Sequence, residues 1–298
     1  MRFKNKKNMI FSGIYIFALL LFTLFVLLDT FVLSDEQMKI NDTSSEDSGS
    51  SSAKTVTETS YSDENIQIEI QTLREYDTDI YIADIILNSI DYLKTAFAND
   101  TYGKNIRETT SNIAENKNAI LAINGDYYGF RNNGFVLRNG VIYRDSARDG
   151  SDNEALAINA DGSFSIIDEN TSDLEEVLAS GALQAFSFGP SLIQNHEITV
   201  TQDSEVSQSM QSNPRTAIGI IDNLHYIFLV SDGRTSANEG LSLYELAEIM
   251  QDLGCSTAYN LDGGGSSTMY FNGSLVNQPT SGHRSGERKV SDIVYIGY

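Results

Sequence analysis

Short apolar runs broken by turn dipeptides limit this chain's fold more than any other feature. Asn139-Gly140 separates GFVLR from VIYR, and Asn272-Gly273 separates TMYF from SLVN. Asp161-Gly162 lies between ALAIN and SFSII, and Asp222-Asn223 between TAIGII and LHYIFLV. Asn, Asp and Gly reach positive φ at low steric cost, and a tight hairpin turn requires that conformation. At least four antiparallel hairpins follow, and IQIEI (66–70) with IYIADIIL (80–87) predicts a further strand pair. Helices are fewer. Leu243, Leu246, Ala247, Met250 and Leu253 form one stripe, Ser242 and Glu245 have capping-box spacing, and Gly254 suits the position just past a helix end. These predict a helix over 243–253, and a second covers about 111–118, ahead of the run AILAIN. The expected class is α+β: a single domain with a mainly antiparallel or mixed sheet, several hairpins and a few helices.

Charge divides the chain. The net charge is −21, but residues 1–33 carry +3, residues 34–60 carry −4, and the remainder holds −20. Residues 9–28 contain no charge and follow Arg2, Lys4, Lys6 and Lys7. As a helix they would rise about 30 Å, the thickness of a bilayer core, with the basic end held in the cytoplasm. The expected order is a basic cytoplasmic head (1–8), a transmembrane signal anchor (9–33), an acidic Ser/Thr-rich tether (34–60) and an extracellular domain (61–298). A cleavable signal peptide is the rival reading of 9–33. That arrangement is a single-pass protein of the cell membrane, with the membrane as its partner through the N-terminal helix. The acidic balance excludes a nucleic-acid binder, and Cys255, the lone cysteine, excludes an internal disulfide and a Cys-based zinc site.

Four polar clusters sit beside apolar runs: Asn124-Gly125-Asp126-Tyr127-Tyr128, Asn213-Pro214-Arg215-Thr216-Ala217, Ser231-Asp232-Gly233-Arg234, and Asn260-Leu261-Asp262-Gly263-Gly264-Gly265-Ser266-Ser267-Thr268. Any one could be a turn. The fourth is harder to dismiss, because three glycines cost backbone entropy and permit close approach to a ligand. It lacks the Lys of a P-loop and the spacing of a dinucleotide fingerprint or a serine-hydrolase elbow, and no EF-hand spacing occurs. Carboxylates and arginines remain. They suit cleavage of a sugar from a phosphate, where Arg holds the leaving phosphate and a carboxylate acts as nucleophile or base at an oxocarbenium-like carbon.

Taken together, ILAINGDYY (120–128), NPRTAIG (213–219), VSDGR (230–234), GLSLYELAEIMQDLGCSTAYNLDGGGSST (240–268) and ERKVSD (287–292) resemble the phosphodiester glycosidase family. The resemblance covers roughly residues 75–298. It implies hydrolysis of the glycosidic bond of sugar-1-phosphodiesters, giving free sugar and a phosphomonoester; joined to the expected anchor, this makes a membrane-anchored extracellular hydrolase acting on envelope or exopolysaccharide glycopolymers. Carried over by motif, Asp126, Arg215, Asp232 and Asp262 are the catalytic candidates. Asn124, Tyr127, Arg234, Asn260, Gly263, Gly264, Gly265, Ser266, Glu287 and Arg288 are the substrate-binding ones. No cofactor is expected; a divalent cation stays open, and the metal ligands are unassigned. The substrate partner is a carbohydrate or glycopolymer phosphodiester.

Other readings compete. Asp126, Asp232 and Asp262 could gather round a hard cation as a metal-dependent phosphodiesterase, and a non-catalytic glycopolymer-binding module is the third choice. Glu245 reads as a capping residue and Cys255 as a small buried one. Tyr127 and Tyr128 are equally readable as sugar stackers or packing. Arg131, Arg138, Arg144 and Arg148 read as a solvated hairpin face, with a docking strip for anionic polymer as the alternative.

Overall fold

The computed structural model describes residues 15–23, 38–39, 54–204, 212–282 and 284–298. Two compact units divide the chain, residues 1–38 and 39–298. In the first, residues 15–23 are helical and exposed, and the rest of the expected anchor lies outside the described residues. Among the described residues no helix is long and apolar enough to cross a membrane.

Three large antiparallel sheets build the second unit, together with a two-stranded ribbon of Thr280–Ser281 and Arg284–Ser285. The largest has nine strands, with Ser191–Gln194, Thr257–Asn260, Thr216–Asp222, His225–Ser231, Thr78–Leu87 and Ile66–Glu75 in spatial order through its middle. A second, of five strands, contains Val136–Arg138, Ala182–Phe186 and Glu154–Asn159 as neighbours. A third, also of five, contains Met269–Phe271, Leu121–Asn124, Asp292–Ile296 and Leu93–Phe97. Thr55–Val56 and Ser60–Ser62 already pair at the edge of the large sheet, so the ordered domain begins before residue 61.

The reason for three sheets lies in the side-chain alternation. Tyr226, Phe228 and Val230 face a core that also holds Leu121 and Ile123 of the third sheet and Leu156 and Ile158 of the second. The intervening Ile227 and Leu229 face outward onto helix α3 (Leu243–Asp252), beside Leu243, Leu246 and Met250. The third sheet repeats the pattern: Ala122 and Ile293 meet Ile113 and Ala114 of α1 (Thr110–Asn116). In the second, Ala155 and Ala157 meet Leu174 of α2 (Leu174–Ala179). Each sheet thus gives one face to a shared core and the other to one helix, which explains why the strands read as continuous apolar runs.

Turn chemistry behaves as its residue types dictate. Asn139 (φ 50°) and Gly140 (φ 77°) both turn left-handed, as do Asn272 (φ 44°) and Gly273 (φ 92°). At the fourth hairpin the turn is displaced by one residue. Asp222 pairs with His225, so the loop is Asn223-Leu224 and the positive φ of 59° falls on Leu224. Helix α3 keeps its capping box, and Gly254 follows it at φ 84°. Glu245 is thereby used as a cap, and Cys255 is buried. Helix α2, capped by Asp173, has no counterpart in the sequence reading.

Leu246 is fully buried against the large sheet. Leu246→Ala should therefore cost about 2–5 kcal/mol, and Ser242→Ala, which removes only the cap, about 1 kcal/mol. Urea unfolding measures both; equal, small losses would mean that α3 does not seal the outer face.

Candidate functional site

Antiparallel pairing brings the motif loops to one end of the large sheet. Thr216 opens its strand opposite Val230, and Ala217 stands opposite Asn260. The loops bearing Arg215, Asp232–Arg234 and Asp262 therefore leave side by side. Asn124 joins them from the third sheet. Its Nδ2 donates to the Asp262 carbonyl (2.6 Å), and its Oδ1 accepts from Thr216 Oγ1 (2.9 Å) and Thr268 N–H (3.2 Å). With every polar atom engaged and no exposure, Asn124 clamps the loops together and stays off the cavity wall.

A cavity of about 630 Å³ opens here. Asp262 stands on its wall, 8% exposed. Its Oδ2 accepts from Ser266 Oγ (2.5 Å) and Arg288 Nη2 (2.9 Å), and among the described residues no hydrogen bond uses Oδ1. Ser266 Oγ in turn accepts from Arg288 Nε at 2.9 Å. Burial raises the Asp262 carboxyl above its ordinary value, opposed by the Arg288 charge and the Ser266 hydrogen bond. Gly263 runs against Pro214, whose carbonyl would lie 2.8 Å from a Cβ there. Gly264 sits at φ 61° beside the Arg234 guanidinium. The glycine run is thus needed twice, for close packing and for a left-handed turn. Gly265 packs against Ser281.

Arginines dominate the remaining wall. Arg215 is buried and donates from Nε to the Leu241 carbonyl (2.8 Å). Arg234 grips the Asn213 Oδ1 through Nε (3.0 Å) and Nη2 (2.6 Å). Desolvation and the Arg288 charge lower the Arg234 pKa. Arg131 and Arg148 complete the set, so the solvated face expected of the 131–148 arginines is overturned. Arg148 is tied to the buried Glu169 (2.8 Å), while Arg144 donates to the carbonyls of Gly134, Tyr128 and Arg131. Tyr127 lines the cavity, stacked on Phe130 and beside Arg131; Tyr128 is buried packing.

Several expected residues lie elsewhere. Asp126 is buried, with Oδ2 against Arg138 Nη2 (3.0 Å) and the Ser187 N–H (3.1 Å), and Oδ1 accepting the Tyr128 N–H (2.9 Å). Asp232 is fixed by Asn277 (3.2 Å), the Gln278 N–H (3.0 Å) and Tyr81 (3.3 Å). Asn260 donates to the Gly189 carbonyl (2.8 Å), and Glu287 accepts from Ser111 at the start of α1 (3.0 Å to N–H). None of these four lines the cavity. The three-carboxylate cation site is likewise corrected: Asp126, Asp232 and Asp262 each have separate partners, and among the described residues no group of three His, Cys, Asp or Glu could hold a metal.

Sequence reasoning missed Arg138 and Asp292. Arg138 is wholly buried, its Nε and Nη2 on Asp292 Oδ2 (3.0 and 2.8 Å) and Nη2 also on Asp126, with its carbon over the Phe186 ring at 4.1 Å. It also donates to the Ala185 carbonyl. The final Asp of ERKVSD was the available signal, since it closes a quoted motif.

Comparisons with known proteins identify the family and the fold. The family model described as "Phosphodiester glycosidase" matches residues 117–297. The chain is 30% identical over 202 residues to the SPbeta prophage-derived uncharacterized protein YomE of Bacillus subtilis (strain 168), covering 66% of this chain and 31% of that protein. It is 28% identical over 207 residues to the human N-acetylglucosamine-1-phosphodiester alpha-N-acetylglucosaminidase, covering 64% and 40%. It therefore spans two fifths or less of the length of these relatives. The zebrafish N-acetylglucosamine-1-phosphodiester alpha-N-acetylglucosaminidase catalytic domain superposes with a TM-score of 0.62 at 21% identity, covering 89% of both chains, which shows a shared fold.

Burial, with the Asp126 charge adding to it and Arg138 opposing, pushes the Asp292 carboxyl up to about 7. Its folded value exceeds the unfolded one, so the folded state binds more protons between about pH 4 and pH 7. Stability from this group should fall as pH rises through that window. Asp292→Asn should flatten the slope, even while lowering stability overall; an unchanged slope in urea unfolding across those pH values would refute the assignment.

Proposed function

Because the chain belongs to the phosphodiester glycosidase family, we propose that it is a hydrolase cleaving the glycosidic bond of sugar-1-phosphodiesters. The observation that carries this reading is Asp262 on the wall of a cavity lined by arginines, its Oδ2 held by Ser266 and Arg288 and its Oδ1 without a hydrogen bond among the described residues. The relatives named above as N-acetylglucosamine-1-phosphodiester glycosidases support the bond class. A water oxygen bonds to the anomeric carbon as the bond from that carbon to the phosphate oxygen breaks. The bonding pair leaves with the phosphate, and Asp262 takes the water's proton and passes it to solvent. Free sugar and a phosphomonoester result. Arg234 and Arg288, with Arg215 behind them, hold the phosphate and balance the charge it gains, so a strong general acid is unnecessary. The Gly263–Gly264 backbone admits the substrate closely, and Tyr127 offers a ring face to the sugar.

The wider setting is also proposed: a domain held outside the cell by residues 9–33 and acting on envelope or exopolysaccharide glycopolymers. Its support is the uncharged stretch behind four basic residues. Protease added to intact cells should digest the domain and spare a tag placed before Met1; digestion of both, or of neither, would contradict it.

Asp262→Asn should lower kcat by about 10²–10⁴-fold on a defined sugar-1-phosphodiester, and Arg234→Ala should raise KM. In wild type, kcat/KM should fall as pH drops through a value above the ordinary carboxylate range, because the base must be ionised, and Asp262→Asn should lose that limb. Oxygen-18 from water should appear in the sugar. Label in the phosphate instead, or full activity in Asp262→Asn, would defeat the reading.

A further inference from the structure

The cavity wall holds two cationic patches that share no hydrogen-bond partner. Arg234 and Arg288 lie at Gly263–Ser266, bonded to Asn213, Asp262 and Ser266. Arg131 lies across Tyr127 and Phe188, its guanidinium carbon 5.4 and 5.0 Å from their ring centres. Arg131 donates once, from Nη1 to the Ser187 carbonyl (3.1 Å), and among the described residues no carboxylate pairs with it. A guanidinium offers five donors. Its neighbour shows what a structural arginine looks like here: Arg148 has the buried Glu169 as counter-ion and the Phe188 and Glu154 carbonyls as further acceptors. Desolvation and the Arg148 charge disfavour the Arg131 cation more than the Asp126 and Asp262 charges favour it, and neither carboxylate bonds to it.

A partly desolvated guanidinium beside two rings, with no carboxylate hydrogen-bonded to it among the described residues, is costly unless an anion completes it. The scissile phosphate already has Arg234, Arg288 and the glycine backbone. With Asp262 at the anomeric carbon and the phosphate held by Arg234 and Arg288, Arg131, whose charge also reaches Asp262, is the cation left for the sugar. We infer that the sugar released by this protein carries a negatively charged substituent, a carboxylate or a phosphate, which Arg131 binds beside Tyr127 and Phe188. This rests on the glycosidase reading above and names its substrate class. The two ring contacts and the Ser187 hydrogen bond restrain the guanidinium, whose planar fork favours a bidentate acid over a neutral hydroxyl.

Calorimetric titration of the full chain with hexose 1-phosphate, hexose 1,6-bisphosphate and hexuronic acid 1-phosphate tests it without requiring turnover. At least one doubly anionic ligand should bind about tenfold tighter than hexose 1-phosphate, the bisphosphate if the substituent is a phosphate and the uronate if it is a carboxylate. Arg131→Gln should reduce that ratio to about twofold or less, and Arg131→Lys, which keeps the charge but not the planar fork, should fall between. Urea unfolding establishes that each variant is folded. Equal affinity for all three ligands in wild type, or a ratio untouched by both Arg131 variants, overturns the inference. So does a ratio that Arg234→Ala abolishes while Arg131→Gln does not. The methyl phosphodiesters of the same sugars report separately on the reaction: no sugar release from any of them sinks the glycosidase reading, and the titration still decides the subsite.

Discussion

The buried guanidinium of Arg138 between Asp126 and Asp292 is the interaction on which the site depends. Arg138 ends a strand of the second sheet, Asp292 begins one of the third, and Asp126 lies two residues past another strand of the third. One side chain therefore pins two sheets whose apolar faces could otherwise slide. Removing a partner from such a group typically costs about 3–5 kcal/mol, because the remaining charge is stranded. Two carboxylates against one guanidinium leave an excess of negative charge. Asp126 spreads its share over the N–H groups of Tyr128 and Ser187. Those two amides belong to the loops that carry Tyr127 and Phe188 to the cavity. A buried charge cluster thus anchors the two loops whose rings contact Arg131.

Much of this architecture could be read locally, and the part that could not is equally definite. Asn-Gly hairpins, the capping box of α3 and the alternating strand at 66–70 depend on neighbours a few residues away, so sequence carries them. The clustering of NPRTAIG, VSDGR and NLDGGGSST also followed, since each motif sits at a strand end and antiparallel pairing puts those ends together. Arg138 is different. It immediately precedes an Asn-Gly turn, where a long cation is ordinarily solvated, and its partner Asp292 is 154 residues away. Nothing in VLRNG announces that a carboxylate will arrive from the end of the chain. Asp126 and Asp232 had the converse problem: a carboxylate in a polar loop looks available until the N–H groups that consume it are located.

The same logic separates overall charge from local charge. The chain carries −21, yet its cavity is walled by Arg131, Arg148, Arg215, Arg234 and Arg288 against Asp149 and Asp262. Exposed charges further away than about 8 Å are largely screened at physiological salt, whereas groups inside a cleft are screened much less. Anion recognition is then decided by the wall. The acidic exterior governs solubility and the approach of a polyanion rather than its fit.

Asp262 shows how that wall tunes a carboxyl group. Burial alone would keep its carboxyl protonated, while Arg288 alone would make it a weak base. Each offsets the other, and the Ser266 hydroxyl fixes one oxygen while the second is left without a hydrogen bond among the described residues. In the proposed reaction the leaving phosphate takes its charge beside arginines already in place and asks little of an acid. The task left in that reaction is to take a proton from water beside the anomeric carbon. A carboxylate with raised basicity, fixed orientation and one unbonded oxygen is suited to that task. The Asn124 clamp on the Asp262 carbonyl keeps it there.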